Sequence, residues 1–241
     1  WNGYRHLELY YGIAGIGAVC HTINPRLSSE QMIYIVNHAE DKVIFVDLTF
    51  VPILAALKDH LPKDLIYVAM TDRKHMPDTD IVNLLCYEDL MEAETTDFDW
   101  PEFDENTACG LCYTSGTTGN PKGALYSHRS TVLHAMMGVI SLQTCLRPGK
   151  RILPVVPLFH VNAWGLPYAA PLSGASLIFP GAALDGPSLH KLMEDERVFS
   201  AWGVPTVWMG LLSEIKAKGG KPSSFKEVII GGSAAPRPMI E

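Results

Sequence analysis

Apolar residues in this chain fall into two patterns. Short unbroken runs occur at Lys42-Val-Ile-Phe-Val-Asp47, Leu65-Ile-Tyr-Val-Ala-Met70, Ala108-Cys-Gly-Leu-Cys-Tyr113, Arg151-Ile-Leu-Pro-Val-Val156, Ala175-Ser-Leu-Ile-Phe179, Phe199-Ser-Ala-Trp-Gly203 and Phe225-Lys-Glu-Val-Ile-Ile230. A continuous run, as opposed to an alternating one, marks a strand covered on both faces, and so a parallel strand. Between the runs lie stretches of helical period. Residues 3–20 suit a helix rich in small residues, and Ser28-Ser29-Glu30-Gln31 starts another that reaches Asn37-His38. Further helices are predicted through Leu57–His60, over 127–143 with Ser127 as N-cap, over 161–173, from Pro187 to about Glu196, and over Pro205–Ala217. Residues 71–106 are richer in acidic residues and carry one short helix near Tyr87–Glu94. Strands alternating with helices predict an α/β fold of layered, mostly parallel sheets flanked by helices. The acidic stretch suggests two α/β subdomains, 1–100 and 101–241.

Composition narrows the function. The chain has 241 residues, 47% hydrophobic and 19% charged, with a net charge of −7. No basic stripe is available to neutralise a nucleic-acid backbone, so a nucleic-acid partner is not expected. No apolar run reaches membrane-spanning length and no signal-peptide pattern is present. Five scattered cysteines (Cys20, Cys86, Cys109, Cys112, Cys145) fit reduced thiols in a cytoplasmic protein. Cys109 and Cys112 form a C-x-x-C, but they lie on an apolar strand pattern with no second pair to complete a zinc site, which favours packing.

The chemistry concentrates in Tyr113-Thr-Ser-Gly-Thr-Thr-Gly-Asn-Pro-Lys-Gly123. Its hydroxyls (Thr114, Ser115, Thr117, Thr118) can donate to phosphate oxygens. Gly116, Gly119 and Gly123 let the backbone present its N–H groups, and Lys122 adds a mobile cation. A G-x-x-x-x-G-K-[ST] loop is excluded, because Pro121 stands where its second glycine belongs and Gly123 where Ser or Thr is required. A dinucleotide fingerprint at Gly15-Ile-Gly17-Ala-Val-Cys20 lacks its third glycine, and small residues packed in a helix explain it as well.

The 113–123 segment resembles the signature of the adenylate-forming superfamily of acyl-CoA synthetases, luciferases and adenylation domains. Four further segments resemble its motifs in the same order: Ile23-Asn-Pro-Arg-Leu27, Val156-Pro-Leu-Phe-His-Val-Asn-Ala-Trp-Gly165, Gly203-Val-Pro-Thr-Val-Trp208 and Gly231-Gly-Ser-Ala-Ala-Pro236. The His-Val-Asn-Ala-Trp and Gly-Gly-Ser-Ala-Ala-Pro versions look most like the fatty-acyl-CoA synthetase branch, long- and medium-chain. The resemblance implies part of the large N-terminal domain of such an enzyme. It also implies a two-step reaction: ATP and a fatty acid give an acyl-adenylate, and coenzyme A then displaces AMP. The resemblance further implies that Thr114 helps bind Mg²⁺, and that Ser115, Gly116, Thr117, Thr118, Gly119 and Lys122 fold over the β- and γ-phosphates. His160 would stand near the carboxylate and α-phosphate as the catalytic residue. Val161, Gly231, Gly232, Ser233 and Ala234 would border the nucleotide. Trp164 would gate the acyl pocket, with Gly203, Val204 and Trp208 along its wall.

The family's later Y-G-x-T-E glutamate, ribose-binding aspartate and C-terminal lysine do not occur within these residues. The chain opens at Trp1 and stops at Glu241 as if cut at both ends, so it reads as a fragment without the lid domain, catalytically inactive alone. Two alternatives stay open: an aryl- or small-acid-CoA ligase or acyl-AMP ligase of the same superfamily, and a non-catalytic nucleotide- or partner-binding module. Pairing as a homodimer is compatible with the resemblance.

Overall fold

The computed structural model describes residues 1–114 and 119–240. Helix α1 (Tyr4–Gly15) leads to β1 (Cys20–Thr22), α2 (Ser29–His38), β2 (Val43–Val46), α3 (Val51–Leu57), β3 (Ile66–Ala69), β4 (Leu85–Cys86) and α4 (Tyr87–Glu92). After the acidic stretch come β5 (Ala108–Tyr113), β6 (Gly123–Ser127), α5 (His128–Ser141), β7 (Arg151–Pro154), α6 (Val161–Trp164) and α7 (Leu166–Ser173). The described chain ends with β8 (Ser176–Leu177), α8 (Gly186–Asp195), β9 (Ser200–Gly203), α9 (Pro205–Lys218), β10 (Glu227–Ile230) and α10 (Arg237–Ile240).

Among the described residues the strands form three sheets, ordered β2-β3-β4, β1-β5-β6 and β10-β9-β7-β8. Every pairing is parallel except β5 with β6. The layered, mostly parallel α/β architecture read from the apolar runs is the one observed. The β1-β5-β6 sheet takes strands from either side of residue 100, with Cys20 opposite Gly110 and Thr22 opposite Cys112.

Strand β7 shows why its sequence is unbroken. Ile152 packs into a core with Tyr10, Val156, Leu158 and Leu166, and Leu153 into a second core with Leu189, Met193, Val198 and Trp208. Both residues are fully buried. Successive side chains point to opposite faces of a sheet, so two covered faces require two apolar residues in succession. A third core, with Ile35, Val36, Val46 and Leu54, joins α2 and α3 to β2. Leu153→Ala is expected to destabilise the protein by about 2–5 kcal/mol, read as a lower midpoint in denaturant melts. An unchanged midpoint would contradict this packing.

Several elements differ from the sequence expectation. The first helix does not reach residue 20. The Gly17 N–H donates to Ala14 O (3.0 Å) and the Ala18 N–H to Ile13 O (3.1 Å), with Gly17 at φ +79°. That left-handed cap ends the helix and frees Cys20–Thr22 to pair as a strand. Strand β6 lies before α5, where the sequence predicts a helix directly after the phosphate-type segment. Leu125 in β6 is 62% exposed, so this edge strand has no buried run to announce it. Of the expected helical stretch 161–173 only Leu166–Ser173 is a right-handed helix, since Val161–Gly165 all have positive φ, and β8 is shorter than 175–179.

Candidate active site

The antiparallel pair β5–β6 makes the neck of the phosphate-type loop. Tyr113 stands opposite Gly123. The Thr114 N–H donates to Lys122 O (2.9 Å), and the Lys122 N–H donates to Thr114 Oγ1 (3.3 Å). Thr114, Gly119 and Lys122 are exposed. Gly119 has φ +119°, a region nearly closed to residues with a Cβ. A Cβ on Gly123 would lie 3.0 Å from Leu111 Cδ1 and 3.3 Å from Tyr113 Cζ, so close strand pairing favours glycine there. Below the neck, Tyr113 Oη lies 2.7 Å from His38 Nδ1 at the end of α2. Ser115, Gly116, Thr117 and Thr118 lie outside the described residues.

A magnesium ion bound through phosphates keeps most of its ligands as phosphate and water oxygens and needs one or two from protein. The exposed Thr114 hydroxyl is an oxygen donor of that kind. Among the described residues no group of three His, Cys, Asp or Glu gathers to hold a metal by itself. The residues present therefore fit an ion carried in with a polyphosphate.

The second part of the site lies at the carboxyl ends of β7, β9 and β10, which share one edge because the three run parallel. In open parallel sheets that edge forms the ligand crevice. From these ends emerge the segment 155–160, the pair Gly203-Val204 and the loop Gly231–Ala234. A Cβ on Gly231 would come within 2.8 Å of Trp164 Cη2. One on Gly203 would come within 2.8 Å of Trp208 Cζ2 and 3.2 Å of Val155 Cβ, and one on Gly232, at φ +79°, within 3.2 Å of Val204 Cγ1. The absence of side chains at these glycines lets two indoles close in on the strand ends. Trp164 also lies 6.5 Å from Trp202, ring centre to ring centre. Trp208 is buried, and its indole N–H has no partner. Ser233 and Ala234 are exposed beside the glycines. His160 is exposed, and its backbone N–H donates to Pro157 O (3.0 Å). The structure thus brings Trp164, Gly203, Val204, Trp208, Gly231 and Gly232 to one edge.

Hydrogen bonds stitch the two parts together. Cys112, next to Tyr113, donates through Sγ to Asn162 Oδ1 (3.2 Å), and the Thr22 hydroxyl donates to Phe159 O (3.2 Å). Burial raises the Cys112 thiol above its ordinary value, offset in part by the Thr22 hydroxyl, and burial pushes Cys20 up to about 12. Both thiols stay protonated at neutral pH, so Cys112 acts as a donor here and not as a nucleophile.

Sequence reasoning missed one feature. Val161, Asn162, Ala163 and Trp164 have φ of 48°, 50°, 46° and 57°, and Gly165 follows at 81°. This is a turn of left-handed backbone where an ordinary helix was expected. The left-handed region costs about 1–2 kcal/mol for each residue with a Cβ, and a β-branched valine there is a conformational outlier. Such backbone persists only where the surroundings over-determine it, and it concentrates at functional sites. The sequence signal was slight: Asn162 and Gly165 tolerate positive φ, whereas Val161, Ala163 and Trp164 do not.

A cavity of about 620 Å³ opens elsewhere, between α1, β1 and the β2-β3-β4 sheet. It is lined by Ile13, Ile44, Phe45 and Phe50, and two motif segments reach it through Ile23, Pro25 and Arg26 and through Pro157 and Phe159.

The family model for AMP-binding enzymes matches residues 1–241. The chain belongs to the AMP-binding enzyme family. This AMP-binding enzyme chain is 53% identical over 240 residues to a medium-chain-fatty-acid–CoA ligase of Ectopseudomonas oleovorans, covering 100% of this chain and 44% of the relative. It is 50% identical over 240 residues to a 3-methylmercaptopropionyl-CoA ligase of Ruegeria lacuscaerulensis, again covering 100% and 44%. The chain therefore spans less than half the length of these relatives. A solved fatty acyl CoA synthetase of Mycobacterium tuberculosis superimposes with a TM-score of 0.77 at 24% identity, over 99% of this chain and 44% of that one, and has the same fold. No described helix of this AMP-binding enzyme chain is long and apolar enough to cross a membrane.

Proposed function

We propose that the full-length protein is an ATP-dependent fatty-acyl-CoA ligase of the AMP-forming type. In the first step a fatty carboxylate attacks the α-phosphorus of ATP, forming the acyl-adenylate and expelling pyrophosphate. In the second the coenzyme A thiol attacks the acyl carbonyl, forming the thioester and expelling AMP. The carboxylate is its own nucleophile, so the protein's work is to position groups and stabilise charge.

Thr114 and Gly119, with Ser115, Gly116, Thr117 and Thr118 of the same loop, would cradle the β- and γ-phosphates, and Lys122 would supply a positive charge. Mg²⁺, held at Thr114, would neutralise phosphate charge. His160 would meet the reacting carboxylate and α-phosphate, with Val161 beside the nucleotide. Gly231, Gly232, Ser233 and Ala234 would form the adenine side, and Trp164, Gly203, Val204 and Trp208 the acyl side. In this reading residues 1–100 form one subdomain and 101–241 the subdomain carrying the site. These 241 residues alone would release no pyrophosphate.

The observation that carries the reading is the Cys112–Asn162 hydrogen bond, because it ties the base of the phosphate loop to the turn between His160 and Trp164. A second reading, a ligase for a short acid, is favoured by the 50% identity to a 3-methylmercaptopropionyl-CoA ligase. Pyrophosphate release by the full-length protein across a series of straight-chain acids separates the two. The fatty-acid reading expects kcat/KM to rise with each added methylene, since burying one CH₂ is worth about 0.8 kcal/mol, until the pocket is filled at medium or long chain length. A maximum at three or four carbons would favour the short-acid ligase, and activity with no acid at all would end the ligase reading.

A further inference from the structure

We propose that Asn162 is a positioning residue, whose side-chain carbonyl clamps the left-handed turn Val161–Trp164 and so holds the Trp164 indole across Gly231. The inference deepens the ligase reading and rests on it for its bearing on catalysis.

The backbone on either side of the turn is already fixed. Before it, Asn2 Nδ2 donates to Pro154 O (2.6 Å) and Val156 O (2.9 Å), and Asn2 Oδ1 accepts from the Leu158 N–H (2.8 Å). The Phe159 carbonyl is held by Thr22. After it, Gly165 lies so close to His134 that a Cβ would fall 2.5 Å from Nδ1. Within the turn, Val161 is 46% exposed and Ala163 contributes a buried methyl, so neither offers a polar tie.

Asn162 does offer one. It is 8% exposed, and its Oδ1 accepts from the Tyr10 hydroxyl (3.0 Å) and from Cys112 Sγ (3.2 Å). Both donors are themselves immobilised. Tyr10 is fully buried in α1, and its single O–H is shared between Leu158 O (2.6 Å) and Asn162 Oδ1 (3.0 Å), so it ties the turn to the backbone just before it. Cys112 sits in β5, paired with Thr22 of β1. One carbonyl oxygen therefore fastens the turn to two elements distant in sequence. Asparagine also tolerates positive φ better than most residues with a Cβ, so its backbone and side chain favour the same conformation. Trp164 is two residues further along the same turn. If the turn relaxes, the indole rotates away from Gly231, where its ring edge now occupies the space a Cβ would need.

The test follows the Trp164 indole directly. In the full-length protein labelled with ¹⁵N at the indole nitrogens, the Trp164 signal is assigned by its loss in Trp164→Phe. Asn162→Leu and Tyr10→Phe are then compared with wild type. Both are expected to shift or broaden the Trp164 signal while leaving that of Trp208, which lies in another core, in place. In both, KM for the carboxylate is expected to rise about tenfold or more with a smaller change in kcat, as for a misplaced binding wall. Tyr10→Phe removes a single oxygen and keeps the ring, so it serves if Asn162→Leu does not fold. An unchanged Trp164 signal in the folded variants overturns the inference. A wild-type protein that releases no pyrophosphate would refute the ligase reading, while the indole signal would still decide whether Asn162 holds the turn.

Discussion

Gly231→Ala in the full-length protein is expected to lower kcat/KM for the carboxylate by about 100-fold, with little change in the melting temperature. The new Cβ would lie 2.8 Å from Trp164 Cη2 and 2.9 Å from Cζ2. Those are atoms of a rigid ring, not the far end of a flexible chain, so no rotamer change of the terminal atoms can relieve the contact. The indole is bounded by Trp202 on one side and by its own left-handed turn on the other. Either Trp164 moves or the Gly231–Ala234 loop does, and both border the proposed site. A displacement of about 1 Å at a reacting geometry costs on the order of 100-fold in rate. Gly231 is itself only half-buried at the end of β10, so the global fold should tolerate the change. Steady-state pyrophosphate release with a parallel thermal melt checks this. Wild-type kcat/KM in a folded Gly231→Ala protein would remove the Trp164–Gly231 contact from the site.

His160→Ala is expected to reduce kcat for adenylate formation by about 100- to 1,000-fold, the usual cost of removing one donor aimed at developing charge. KM for ATP should change much less, because the phosphate loop is a separate element. The imidazole is exposed at the crevice edge, between a backbone pinned by Asn2 and Thr22 and the strained turn beginning at Val161. That placement holds its Cα firmly while leaving its ring open to a ligand. His160→Asn, which keeps an N–H donor, should recover part of the loss. A single-turnover measurement of acyl-adenylate formation reads the step itself. Undiminished rates in His160→Ala would contradict the assigned role.

The parts of this molecule legible in its sequence are those determined locally. Ser28 caps α2 as predicted: its hydroxyl accepts from the Gln31 N–H, and the Gln31 side chain accepts from the Ser28 N–H. Ser127 caps α5 in the same way with Ser130. Both depend on residues three positions apart, and so the pattern is visible in the chain. The buried strands were legible because two covered faces demand unbroken apolar runs. The strand β6 was not, since it is an edge with Leu125 in solvent. Nor was the left-handed turn, whose conformation is set by partners such as Tyr10, 152 positions away from Asn162. The motifs nominated candidate positions one by one, but the meeting of Trp164, Gly203 and Gly231 at one edge depends on β7, β9 and β10 being parallel neighbours. That is a fact of topology. The Cys112–Asn162 bond belongs to the same class, since nothing near either residue in the chain announces the other.

Acyl-adenylate formation at the expense of ATP, proposed here for the full-length protein, is checked by exchange of labelled pyrophosphate into ATP without coenzyme A. Exchange is expected to require a fatty acid and to proceed in the absence of the thiol, as it would for a reversible first step that precedes coenzyme A. Exchange that is absent, or that appears only when coenzyme A is added, would contradict it.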